Sequence, residues 1–142
     1  MSNDPTPQIC FKFEKNLIQA CELALQHKLY VKGWVLQYSL IGIKNNPENR
    51  KGAAIAMAYE GDIPVGIAIV HFRSIASFVK PKYRRKGIGT ELVNLLKKNM
   101  KSSDFNNLEA GLGIPGSNEF WQQNEIPYFI VGHENKGYAV QE

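Results

Sequence analysis

Cysteine is scarce in this chain. Its 142 residues include only Cys10 and Cys21, too few for a disulfide framework and without the spacing of a metal site. Such usage fits a reducing compartment. Long apolar runs are missing too: none approaches the roughly 18 residues that a membrane-spanning helix needs. The longest candidate, IPVGIAIV at 63–70, is strand-sized. No segment is low in complexity and no period repeats, which excludes solenoid and fibrous architectures. The opening MSNDPTPQ (1–8) is polar and proline-bearing, unlike a secretory leader, and is read as a disordered lead-in. The expectation is a soluble, cytoplasmic protein with one domain over residues 9–142. At 44% hydrophobic and 21% charged residues, that length can bury a sizeable core.

Positive charge is present but concentrated. Lys80, Lys82, Arg84, Arg85 and Lys86 hold five of the 17 basic residues within seven positions, and the 12 that remain face 13 acids. The net charge of +4 is therefore local. One anionic site explains it better than a surface coated for nucleic acid or membrane.

Periodicity gives the element order. ICFKF (9–13) alternates as a half-buried strand does. Over 14–26, Leu17, Ile18, Cys21, Ala24 and Leu25 recur at helical spacing. WVLQYSLIGI (34–43) fits helix or strand and is read as helix, and NNPENRKG (45–52) is read as a loop. Two apolar runs, 53–60 and 63–72, flank a Gly-Asp turn and predict a hairpin. IASFV (75–79) is a third strand, closed by Pro81. A helix is expected from Ile88 to about Met100, a strand at 108–112, a turn at GIPGS, a short helix over 118–125, and strands at 128–131 and 138–140. That order describes an α/β domain built on one mixed sheet.

RRKGIG (84–89) sits where a strand gives way to a helix. A helix start leaves backbone N–H groups without partners and carries partial positive charge. Glycines there let a ligand approach the backbone, and neighbouring cations complete a phosphate cradle. The loop lacks the G-K-S/T ending of a P-loop and has only Gly87 and Gly89 of a dinucleotide fingerprint. A nucleic-acid surface spreads cations and interleaves aromatics, and one compact run does neither.

FVKPKYRRKGIGTELVNLLKK closely resembles the cofactor loop of the GCN5-related N-acetyltransferase (GNAT) superfamily, marked by R/Q-x-x-G-x-G/A. Arg84, Gly87 and Gly89 match its fixed positions, and Val79, Pro81 and Tyr83 match the residues that precede them. The element order is consistent with that fold from about residue 9 to 140. The resemblance implies acetyl-CoA, or another acyl-CoA, as donor, with no metal. It maps the pyrophosphate contacts onto Arg84, Arg85, Lys86, Gly87, Ile88, Gly89 and Thr90. Main-chain contacts to the pantetheine arm map onto Ser77, Phe78 and Val79.

The implied reaction is attack of a neutral primary amine on a thioester. A lysine-like amine has a pKa of about 10.4, so a base helps, whereas a thiol near about 8.5 leaves with little acid assistance. In the family an Asn opens the late helix, which maps onto Asn118, and a tyrosine serves as acid near the sulfur. Phe120 matches the residue before that tyrosine, but the tyrosine's own place holds Trp121. An indole N–H donates a hydrogen bond without releasing its proton. Other tyrosines, Tyr128 or Tyr138, or solvent are alternatives for the acid, and Trp121 packing under the cofactor is another reading.

The family's carboxylate base maps onto Arg73, which cannot be a base but can bind an acidic acceptor. His71 nearby has a suitable ordinary pKa, and Glu109 and Glu60 are further candidates. His27 and His133 have no visible partner in the sequence, and Cys21 falls on the apolar face of its helix. The expectation is an N-acetyltransferase acting by direct transfer. The alternative is a non-catalytic CoA-binding module of the same fold. Acceptor identity is not legible, and the edge strand around Tyr138 leaves a homodimer open.

Overall fold

A computed structural model describes residues 8–111 and 118–129. In chain order these form β1 (Ile9–Glu14), α1 (Leu17–Gln26), α2 (Val35–Asn45), β2 (Ala54–Glu60), β3 (Ile63–His71) and β4 (Ser74–Val79). Then come α3 (Ile88–Asn99), α4 (Ser102–Asn106), β5 (Glu109–Gly111), α5 (Asn118–Gln123) and β6 (Tyr128–Phe129). The strands make one sheet in the order β1-β2-β3-β4-β5-β6. β1 to β4 pair antiparallel, and β4, β5 and β6 pair parallel. This is the α/β domain on one mixed sheet that the sequence predicts, with the sheet mostly antiparallel and flanked by helices.

Local chemistry sets the element ends. Asn16 caps α1, its Oδ1 accepting from the Gln19 N–H at 3.0 Å, which satisfies one of the helix's free donors. The ambiguous 34–43 segment is helical, with Trp34 at the cap position. Within the expected loop over 45–52, Pro47–Arg50 form a single 3₁₀ turn started by Asn46, whose Oδ1 accepts from the Glu48 N–H at 3.0 Å. Gly61 takes the left-handed conformation, φ 63°, in the β2–β3 turn. β3 is shorter than expected: Phe72 leaves the strand at φ 60° to make the turn into β4. The sequence reading omits α4, a five-residue helix anchored by the buried Phe105. The lead-in reading (apart from Gln8), the GIPGS turn and the 138–140 strand lie outside the described residues.

Alternation along β2 separates two cores. Ala54, Ala56 and Ala58 face one side with Ala68, Val70, Ile88, Leu92 and Leu96. Ile55, Met57 and Tyr59 face the other with Cys21, Leu36, Leu40, Ile43, Ile67 and Ile69. Small residues draw α3 close to the sheet. A Cβ on Gly66 would lie 3.3 Å from Leu92 Cδ1 and 3.4 Å from Ile88 Cγ2. Large residues fill the wider space under α1 and α2. Each fully buried aliphatic side chain contributes about 1.5–3 kcal/mol over its exposed state, so both faces hold the sheet. The site lies where α3 starts.

Candidate functional site

β4 pairs with β5 at Ser74–Glu109 and Ile75–Ala110, yet β4 runs on to Val79. Lys80 N–H donates to Val65 O at 2.9 Å, so Lys80 turns its backbone polar groups toward β3. In an antiparallel ladder neighbours alternate, which turns those of Val79 and Ser77 the other way. The Val79 carbonyl accepts from Arg84 Nε at 2.6 Å, in keeping with that direction. Ser77 and Val79 thereby bring main-chain donors and acceptors to the edge beyond the registered β4–β5 pairs.

The loop after β4 is pinned at one end and open at the other. Arg84 carries the bond to Val79, and its guanidinium lies 5.3 Å from the Phe78 ring centroid. Its charge therefore holds the loop to the strand. Arg85 and Gly87 have φ of 65° and 80°. Gly87 occupies the cap position of α3 with no side-chain cap, so helix-start N–H groups stay available. A Cβ built on Gly87 would meet nothing within 4 Å. Two residues on, the surroundings reverse: a Cβ on Gly89 would stand 2.9 Å from Phe120 Cε1. The absent side chain lets α5 dock against the first turn of α3.

These parts enclose a cleft of about 490 Å³ lined by Ser77, Val79, Tyr83, Arg84, Arg85, Gly87, Ile88, Gly89, Thr90, Glu119, Phe120, Trp121 and Gln123. A left-handed glycine facing open space, an uncapped helix start and the exposed Arg85 suit a pyrophosphate. The adjoining strand edge suits an amide-bearing arm. Of the residues mapped to a cofactor, Phe78 turns its ring to the α1/α2 core, and Lys86 is exposed outside the lining. Asn118 opens α5; its side chain is outside the described set.

Trp121 forms part of the cleft wall and is 1% exposed. Its ring meets Phe120 edge-on, centroids 4.8 Å apart, and its Nε1 has no hydrogen-bond partner among the described residues. His71 lies elsewhere, on the α2 side, its Nδ1 3.2 Å from Ser39 Oγ and its ring stacked on Phe72 at 4.3 Å. Burial lowers its pKa. Glu109 is exposed and does not line the cleft. Arg73 sits in the β3–β4 turn, its carbonyl accepting from the Glu109 N–H at 2.9 Å.

Glu60 does not line the cleft but accepts the hydroxyl of Tyr83, which does, a bond that raises the Tyr83 pKa. Tyr128 packs against the core, while Tyr138 and His133 lie outside the described residues. Cys10 and Cys21 are free thiols, and burial pushes the Cys21 thiol up to about 11. Glu119 and Gln123 line the cleft without having been singled out in the sequence. No motif marks them, and only the docking of α5 brings them in.

Among the described residues no helix is long and apolar enough to cross a membrane. No curated protein sequence matches this chain. The fold has solved relatives. AAC(6′)-Iy, solved with the bisubstrate analogue CoA-S-monomethyl-acetylneamine, is 13% identical over 83% of this chain and 87% of its own, with a TM-score of 0.51. A GNAT-family acetyltransferase from Streptococcus pneumoniae is 20% identical over 84% and 87%, with a TM-score of 0.50. At such identities the likeness lies in the fold. The sequence itself matches the acetyltransferase (GNAT) family model over residues 22–124. The chain belongs to the acetyltransferase (GNAT) family.

Proposed function

We propose that this protein transfers an acetyl group from acetyl-CoA to a primary amine by direct attack on the thioester. The observation that carries this reading is the cleft at the start of α3, where an open left-handed Gly87, helix-start amides and Arg85 adjoin the β4 edge at Ser77 and Val79. The arm and the pyrophosphate of one CoA molecule call for those two surfaces side by side. The CoA-containing analogue bound to AAC(6′)-Iy supports the assignment of donor.

On this reading the loop amides from Arg85 to Thr90 hold the pyrophosphate, and the main chain of Ser77 and Val79 orients the arm. The amine must lose a proton. Glu119 is the carboxylate among the described cleft-lining residues, and its exposure puts it in reach of water that can relay that proton. His71 is turned toward Ser39 on the α2 side, so it serves this chemistry less well. The scarcity of cysteine supports a cytoplasmic setting. The acceptor is an amine, whose identity rests with surfaces around α2.

Calorimetry with acetyl-CoA on the wild type and on Gly87→Glu tests the reading. Micromolar binding in the wild type, lost in the variant, is expected, because a carboxylate would then occupy the open space beside Gly87. Absence of binding to folded wild type overturns it. A CoA-binding module without catalysis predicts the same binding, and release of free thiol in a screen of amine acceptors separates the two.

A further inference from the structure

We infer that Glu60 is a positioning residue for the cofactor, acting through Tyr83 to set the direction of the loop amides. This role rests on the acetyl-CoA reading above. Tyr83 ends a short 3₁₀ turn, Pro81–Tyr83, directly before Arg84 and the cradle. It is buried with the α3 core, lines the cleft, and donates its hydroxyl to the Glu60 carboxylate. Glu60 closes β2, 23 residues earlier in the chain, and does not line the cleft. Its influence on a ligand passes through Tyr83.

The end of the β2–β3 hairpin holds the loop at two points. β3 carries an extra residue there, since Ala58 pairs with Gly66 and Tyr59 with Pro64, leaving Val65 unpaired. Such bulges bend a strand locally and are common beside working sites. The Val65 carbonyl accepts from the Lys80 N–H at 2.9 Å, which fixes where the loop begins. Glu60 then takes hold at Tyr83. Beyond lie Arg85, a non-glycine at φ 65°, and Gly87 at φ 80°. Left-handed backbone at such a residue persists only where its surroundings hold it. The far end is fixed by α3, where the Glu91 N–H donates to the Gly87 carbonyl at 3.0 Å. The near end depends on Arg84 and on Tyr83.

The choice of partner also matters for charge. Among the described residues the ion pair formed is Lys51–Glu48, and none joins Glu60 to the cations of the loop. By accepting from a neutral hydroxyl, Glu60 anchors the loop while Arg85 stays free for an anion. A hydrogen bond to a carboxylate is stronger than one between neutral groups. The anchor is therefore firm without cancelling any positive charge.

Calorimetry with acetyl-CoA on Glu60→Ala, Glu60→Gln and Tyr83→Phe tests the role. Glu60→Ala and Tyr83→Phe each break the bond and are expected to bind about tenfold more weakly, the equivalent of one hydrogen bond. Glu60→Gln keeps an oxygen to accept the hydroxyl and should bind at least as tightly as wild type. Both changes at Glu60 remove its charge, so their difference reads the bond alone. The double variant Glu60→Ala/Tyr83→Phe should be no worse than either single change, because both remove the same link. In the ligand-free protein the ¹⁵N-amide signals of Gly87 and Gly89 should move in the two bond-breaking variants and return in Glu60→Gln. A lower urea midpoint with those amides and the affinity unchanged means a role in stability only, and overturns the inference. So does Glu60→Gln binding as weakly as Glu60→Ala, or a double variant whose losses multiply. Should Tyr83→Phe fold poorly, Glu60→Ala against Glu60→Gln decides alone. If folded wild type binds no acetyl-CoA, the cofactor reading fails and the positioning role falls with it.

Discussion

The two faces of the sheet each bury one ring nitrogen without a partner among the described residues, His71 Nε2 and Trp121 Nε1, in unlike surroundings. Under α1 and α2, Leu36, Leu40, Ile43, Ile55, Met57 and Ile67 are all wholly buried. His71 lies at the margin of that packing, half satisfied by Ser39. On the other face the alanines of β2 and Gly66 pull α3 inward, and the structure opens between the end of β4 and α5. Trp121 sits in that opening's wall. The same local defect therefore has different consequences. At a closed margin it weighs on stability; in a cleft wall it lies one side chain away from the open space.

Both faces hold the sheet, but the cleft opens on the α3 side, and truncation of the α1/α2 core tests that separation most severely. Leu40→Ala removes a side chain with no exposed surface and is expected to cost about 2–5 kcal/mol, a large share of the roughly 5–15 kcal/mol typical of a domain. Urea denaturation would measure the loss. CoA affinity of the folded variant should stay within about twofold of wild type, or less than 0.5 kcal/mol. A large fall in affinity would show that the faces are coupled through the sheet.

Gly87 and Gly89 sharpen the contrast within the α3 face. Gly87→Ala places a side chain at φ 80° with free space around it, so about 1–2 kcal/mol of stability should be lost from the backbone alone. Gly89→Ala gains up to about 1 kcal/mol in helix propensity but puts a methyl 2.9 Å from Phe120 Cε1. Its stability should therefore stay within about 1 kcal/mol of wild type, while displaced α5 weakens CoA binding about tenfold, or 1.4 kcal/mol. Thermal melts and calorimetry on the pair decide the matter. If both variants lose stability and affinity in step, Gly89 is not the seat of α5.

The contrast between these glycines also marks how far the sequence can be read. R-R-K-G-I-G announces the cradle because a helix start, two glycines and cations are all local features, written within six residues. Alternation along AAIAMAYE and the Gly-Asp turn likewise give the hairpin. What local pattern does not carry is which residues meet across the chain. Nothing in NEFWQQN says that Phe120 will rest on Gly89, or that Glu119 and Gln123 will follow it into the cleft. The histidine at 71 looks available beside the expected carboxylate position, but the β3–β4 turn at Phe72 and Arg73 and the approach of α2 place it at Ser39. Arg84 reads as a phosphate ligand by charge, yet its geometry ties it to the Val79 carbonyl. Charge is legible in one dimension. The direction of a side chain is not.

The smallest expected effect concerns the nitrogen on the closed face. Burial holds the His71 imidazole below its ordinary pKa, so it stays neutral in the folded protein over a range where the unfolded chain already binds a proton. The unfolded state thus takes up more protons below about pH 6.5. Stability is retained in full above that value and declines as the pH falls from there through the folded pKa, below which the loss is complete. His71→Gln removes this contribution and leaves the other titrating groups in place. Between pH 7.5 and 5.5 the wild type should therefore lose more of its urea midpoint than the variant does. Parallel losses would mean that the ring accepts a proton freely in the fold, and that the closed face has room, or water, at the Nε2 edge. In that case the two unpaired nitrogens would not differ in kind, and the separation of a packed face from a receptive one would rest on the cleft alone.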